Sequence, residues 1–493
     1  MSFYVYDIIF LVLFSLALVI FLYKRRGNLK REGIMYLYRT KVGINFINYV
    51  GEKYKKTLTV LGFIGVICGY FLMIAMIYFL YKLLYLYLFV PEIVRAIKIP
   101  PLMPLIPYLP EAFKIDFLPP FYFTYWIIAI AVIAVFHEFA HGIIARRYDV
   151  KIHTTGFGFL GPFLAAFVEP DEEQMQKKPK YQQIVILSAG VFTNLVLAIF
   201  FFLFLSVFFV LAYVPAGAIF NTYTPGVVPI NSVDMIGGVI INNPTKEGIL
   251  NLIEKNNIED DFVLGSNGNS INLTKVIANG KTYYITIDKL KLQLEFDEEK
   301  GELGLYEDLP AINAGLRGAI IKIDEFEIKD HSDLAIVMKN YNPGDAITIT
   351  TKDTKNGEET LVYNIILKED PNKNGRAVIG IGFFDGSSER ILGKVTDFFN
   401  FFKKPATNYE PRFNVDLAIF IYNLIWWLAL INLSVALINM WPVAIFDGGR
   451  MFMLTIWGIT GSERTGQLAF KIATYSILGA LFLLMVGWFW AIF

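Results

Sequence analysis

The sequence predicts a polytopic α-helical membrane protein of about six spans, with a mainly β extracytoplasmic domain inserted between the fourth span and the fifth. Three observations carry this reading. Of the 493 residues, 55% are hydrophobic and 18% charged, at a mean hydropathy of +0.49, which is too apolar for a chain dissolved in water. Six apolar runs, residues 5–23, 58–80, 121–145, 184–213, 415–438 and 470–493, reach the roughly 20 helical residues that cross a hydrocarbon core of about 30 Å. Between the fourth and fifth runs, segment 214–414 changes to alternating apolar and polar residues punctuated by turn dipeptides.

The first run has no basic segment before it and no small-residue cleavage site after it, so it reads as a retained anchor rather than a signal peptide. Residues 24–56 hold ten Lys/Arg against two Glu, whereas 91–120 hold only Arg95, Lys98 and Lys114; the positive-inside rule therefore puts the former in the cytoplasm. Counting crossings from there places both chain ends and segment 214–414 outside, and the loop with Arg146, Arg147, Lys151, Lys177, Lys178 and Lys180 inside. Four segments follow: 1–56, an anchor span and basic loop; 57–213, a membrane core; 214–414, the insert; and 415–493, a second membrane core. In the insert, residues 281–287 and 346–351 read as strands, and Asn267-Gly268, Pro343-Gly344 and Asn356-Gly357 as turns.

Charge and cysteine content narrow the chemistry. Forty-four basic residues balance forty-four acidic ones, so no basic excess points to nucleic acid. With Cys68 the only cysteine, any metal must be held by His, Asp or Glu. The third run ends AVIAVFHEFAHGIIARR, and residues four apart share a helix face, so His137 and His141 can direct their imidazoles at one ion with Glu138 beside its water. This is the HExxH arrangement of zinc hydrolases. A histidine pair that only hydrogen-bonds is the plain alternative; against it, a mid-span carboxylate costs roughly 2.5–3.5 kcal/mol and marks function by default.

Catalytic zinc takes three protein ligands and keeps one open position. His153, in a polar loop, and His331, in the insert, are poorly placed for the third. Asp447 is better placed: it follows the fifth run in INMWPVAIFDGGRM, where Asn439, Pro442, Gly448 and Gly449 interrupt the helical pattern at a depth that tolerates irregular backbone only inside protein or beside a wet cavity. His137 lies sixteen residues past Phe121, about 24 Å along a helix, and the third and fifth runs cross in the same direction, so the two motifs meet on the cytoplasmic side.

HEFAHG at 137–142 and NMWPVAIFDGG at 439–449 resemble the two signature motifs of the site-2 protease family of intramembrane metalloproteases. The resemblance covers most of the chain from Phe121 onward. It implies one Zn2+ held by His137, His141 and Asp447, Glu138 as the catalytic base, and transmembrane protein substrates taken from the bilayer, either anchors of regulatory proteins or leftover signal peptides. It further implies that residues 154–170, with Gly158, Gly161 and Pro162, form a re-entrant β loop receiving the substrate, and that Asn439 and Pro442 lie at the substrate. Asn194 would hold substrate backbone or the oxyanion, with an interhelical hydrogen bond as the alternative; Val191 stands where that motif often has proline. Residues 301–353 resemble a PDZ domain, implying that 301–305 receive a peptide C-terminus and that the neighbouring strand edge accepts a peptide; a spacer or size filter is the alternative reading. Whether 225–297 form a second copy is left open. A cation transporter and a silent scaffold are the rival functions, and abundant Ile, Lys, Asn and Tyr suit an AT-rich prokaryotic, perhaps archaeal, genome.

Overall fold

In a computed structural model the chain is described from residue 3 to 492, except residues 34, 91–99, 102, 114, 116–117, 161–162, 243, 256–257, 259, 261, 265–269, 297–300, 354–358, 372 and 384–400. Gly161, Pro162 and the turns Asn267-Gly268 and Asn356-Gly357 lie outside the described residues. The chain forms two compact units, Met1–Phe208 with Asp416–Phe493, and Phe209–Val415.

The first unit opens with α1 (Phe3–Lys24), strands β1 (Leu29–Glu32) and β2 (Met35–Thr40), α2 (Ile44–Lys53) and α3 (Lys55–Phe89). Then come α4 (Phe123–Arg147), the hairpin β3 (Ile152–Leu160) and β4 (Phe163–Pro170), and α5 (Lys180–Ala212). After the second unit follow α6 (Val415–Ile438), α7 (Asp447–Thr460) and α8 (Glu463–Ile492). Among the described residues six helices, α1, α3, α4, α5, α6 and α8, are long and apolar enough to span a bilayer. The protein is thus a multi-pass membrane protein with a β-rich insert.

Small residues let α3 and α5 approach: a Cβ on Gly62 would fall 2.5 Å from Val185 Cγ1, and one on Gly65 3.3 Å from Phe192 Cβ. The start of α4 is capped from another helix. Tyr122 supplies no side-chain cap, but the buried carboxylate of Asp7 on α1 accepts from Phe123 N and Thr124 N, both at 2.8 Å, and from Thr124 Oγ1 and Tyr108 Oη, both at 2.5 Å. These amides are among the donors that a helix leaves without an intrahelical partner. At its other end α4 carries Arg146 and Arg147 against the dipole's negative pole.

The basic stretch 24–56 is more than a loop. β1 pairs with β2, β2 with β3 and β3 with β4, all antiparallel, giving a four-stranded sheet in which Tyr36 faces Phe159 and Thr40 faces Thr155. Gly156 is required there, since a Cβ would fall 2.3 Å from Tyr38 O and 2.6 Å from the Phe167 ring.

The insert contains two β modules with separate cores. One sheet runs Pro225–Pro229, Glu302–Glu307, Lys281–Ile285, Thr274–Ala278, Val233–Ile236, Val239–Ile240 and packs Leu303 and Leu305 with helices Lys246–Lys255 and Ile287–Phe296. The other orders Glu359–Ile366, Ala346–Asp353, Ala319–Ile323, β5 (Tyr213–Ile219) and β6 (Thr407–Pro411), with helix His331–Val337 on its core. This corrects one expectation. The strand after Gly301 belongs to the first module, not to the unit formed by the residues that follow it, and it is hydrogen-bonded on both sides, to Pro225–Pro229 and to Lys281–Ile285. Gly301 O itself accepts from Ile230 N at 2.9 Å. Residues 302–306 are paired along Pro225–Pro229, whereas Lys281–Ile285 reaches only Tyr306 and Glu307, and on Gly304 the N–H donates to Gln293 Oε1 at 2.8 Å and the O accepts from Gln293 Nε2 at 3.0 Å.

Candidate metal centre

The HExxH helix places His137 and His141 one turn apart with rings edge-on, centroids 4.7 Å apart. Asp447 arrives from the other end of the chain, as the first residue of α7. Its Oδ2 lies 3.3 Å from His137 Nε2 and 3.4 Å from His141 Nε2, and the two Nε2 atoms are 3.1 Å apart. Donors about 2.0–2.1 Å from a tetrahedral zinc stand about 3.3 Å from one another, so this nearly equilateral triangle of two imidazoles and a carboxylate fits zinc by size as well as by donor type. Among the described residues it is the group of His, Cys, Asp or Glu able to hold a metal ion.

The surrounding backbone fixes each member. His141 Nδ1 lies 2.7 Å from Ile186 O and donates to it, which leaves Nε2 the bare nitrogen a metal needs. His137 Nδ1 meets the amide of the fully buried Asn194 at 3.0 Å. Amide orientation is an assigned quantity; the Asn194 oxygen otherwise has no hydrogen-bond partner, and turned toward His137 it would accept from Nδ1–H and free Nε2 in the same way. Asn194 therefore touches the metal site through His137, an interhelical hydrogen bond between α5 and α4. Gly190 makes room for both rings: a Cβ there would sit 2.4 Å from His141 Nε2 and 2.6 Å from His137 Nε2.

Asp447 is presented by a tight loop. Gly448 N donates to Asn439 O at 2.8 Å, and Cβ atoms on Gly448 and Gly449 would fall 2.5 Å and 2.1 Å from the backbone of Met440 and Val443. Pro442 is buried in this turn, while Asn439 lines the cavity at the centre.

That cavity measures about 800 Å³ and holds His137, Glu138, His141 and Asp447. β4 forms one wall and is the edge strand of its sheet. Val168 N donates to Glu138 Oε2 at 3.2 Å, so it points away from β3; by strand alternation Ala166 and Leu164 turn their backbone groups the same way. Gly158 also lines the cavity, and His153, paired with Asp171 at 3.3 Å, sits on its wall without joining the metal group. His331 belongs to the other unit.

Sequence reasoning missed several walls: Met35, Leu37 and Arg39 of β2, and Arg450. Arg39 bridges Glu32 at 2.6 Å and Glu169 at 3.1 Å, and its guanidinium holds the Glu169 carboxyl below the usual range. The glycine between LKRE and MYLYRT was the available signal for this hairpin.

The model of Peptidase family M50 matches residues 125–485, a stretch that includes His137, Glu138, His141 and Asp447. The chain belongs to peptidase family M50. A protein of Borreliella burgdorferi bearing the name "Putative zinc metalloprotease" is 22% identical over 457 residues, covering 75% of this chain and 97% of that protein. This M50 protein, of the site-2 protease family, is accordingly a membrane zinc metalloprotease, and Zn2+ is its cofactor.

Proposed function

We propose that the protein is an intramembrane endopeptidase that cleaves transmembrane segments of membrane-anchored proteins, with zinc held by His137, His141 and Asp447. The observation that carries this is the Glu138 carboxylate lying between the metal triangle and the outward-facing edge of β4. When bound there, zinc supplies Lewis acidity worth several kcal/mol of charge stabilisation. Glu138 takes the proton of the attacking water on its carboxylate and passes it to the leaving amine nitrogen. Ala166 offers its outward N–H and C=O groups, and Val168 its C=O, to the substrate backbone, which must be extended to pair with them. A helical segment cannot make those bonds, so substrates unwind before cleavage, and helix-weakening residues favour them.

The charge distribution supports a cytoplasmic-side active site with the N-terminus and insert outside. There the insert, PDZ-like in its second module, sorts substrates by size or by binding.

The test is zinc content and cleavage of a model anchored substrate in detergent. Glu138→Gln should keep zinc and lose turnover by at least about 100-fold. Ala166→Pro, which deletes an outward N–H, should also keep zinc and lose cleavage. Equal cleavage by wild type and Glu138→Gln would sink the mechanism; full activity in Ala166→Pro would remove β4 as the substrate strand.

A further inference from the structure

A second cavity, of about 400 Å³, lies behind the metal helix among α2, α3, α4 and α5. Phe136, Ala140 and Ile143 of α4 form one wall, one face round from His137 and His141, and glycines 62 and 65 of α3 form another. The lining is almost wholly apolar. It opens sideways: Leu61, Phe136 and Val196 on its rim are 39%, 51% and 47% exposed, on helices that cross the membrane.

Size decides what kind of apolar body enters. One turn of an α-helix, about 10 Å across and 5.4 Å long, fills roughly 400 Å³. The slot therefore has no room for a spanning helix but accepts one hydrocarbon chain. Charge decides the rest. Val50, Leu58, Ile143 and Ile144 line the slot, and each lies three residues, about one helical turn, from a cation: Lys53, Lys55, Arg146 and Arg147 respectively. Arg146 pairs with Glu52 and Lys55 with Asp149, which leaves an excess of two positive charges at this end. The Arg147 guanidinium is fixed there by donating to Lys55 O at 2.8 Å and Thr59 Oγ1 at 2.8 Å.

We propose that this slot binds one bilayer lipid with an anionic headgroup, its acyl chain between α3, α4 and α5 and its phosphate among Lys53, Lys55 and Arg147. The lipid would fill the space behind Ala140 and so hold the spacing of α4 against α5, the two helices that carry His137, His141, Gly190 and Asn194.

Native mass spectrometry of the full chain, released from nanodiscs of equal phosphatidylglycerol and phosphatidylcholine, tests this. One phosphatidylglycerol should be retained per chain, at least about tenfold over phosphatidylcholine, and less in high salt. Lys53→Gln with Lys55→Gln should cut that preference about tenfold, and Ala140→Phe should abolish retention while zinc content stays at the wild-type level. Retention of both lipids equally, or a preference unchanged in the lysine double variant, overturns the proposal. Should Ala140→Phe lose zinc through misfolding, the lysine pair decides alone.

Discussion

Replacing Asp7 by alanine removes a carboxylate from α1, yet the helix expected to suffer is α4. Four donors lose their acceptor: Phe123 N, Thr124 N, Thr124 Oγ1 and Tyr108 Oη. Losing an N-cap costs about 0.5–2 kcal/mol, and each buried donor left unmatched costs about 1–3 kcal/mol. Hydrocarbon offers no substitute acceptor, although the side chains can turn and the first turn can shift in part. Allowing for such relaxation, the loss should be about 3–5 kcal/mol, the size seen when one partner of a buried charged contact is deleted. Asp7→Asn keeps one acceptor oxygen and should lose about half as much. Reversible unfolding in mild detergent, followed by helix content and zinc release together, reads both variants. His137 lies fourteen residues beyond Phe123, about 21 Å along the helix, so zinc should leave with the unfolding of α4 rather than before it. An Asp7→Ala protein within about 0.5 kcal/mol of wild type would refute the view that α1 caps the metal helix, leaving it as a mere anchor.

Two further substitutions probe the support of the metal triangle. Gly190→Ala puts a methyl 2.4 Å from His141 Nε2, so zinc stoichiometry measured by metal analysis should fall well below one per chain while helix content holds, because alanine favours helix. Asn194→Ala leaves His137 Nδ1 without its partner and should weaken zinc binding about 10–100-fold, read by competition with a chelator, whereas Asn194→Asp, which can still accept from Nδ1–H, should restore most of it.

The chemistry was legible because its signals are local or follow from chain direction. His137 and His141 share a face through helical spacing, and Asp447 follows an apolar run crossing the same way as theirs. Partners set by tertiary packing were not legible. Asp7 reads as a lone acid in an apolar run, and nothing adjacent to it indicates the amides of Phe123 and Thr124. The hairpin β1–β2 sits in a stretch whose charge masks its alternation, and its pairing with β3 spans more than a hundred residues. In the insert, residues 301–305 read as a loop for a peptide carboxylate, whereas Glu302–Leu305 lie in a strand whose Leu303 and Leu305 enter the core of the earlier module. GELGLY looked like the start of the unit that follows and is the interior of the one before.

The insert enters through β5 and leaves through β6, and these two strands are zipped together: Tyr213 stands opposite Pro411, and Arg412 N donates to Ala212 O at 2.8 Å. The ends of some two hundred residues are thus joined as tightly as those of a hairpin. Loop-closure entropy, which rises only about 0.6 kcal/mol per doubling of length, is met inside the insert itself. A shorter or longer module could therefore be grafted at this clasp without disturbing the helices that carry the metal site.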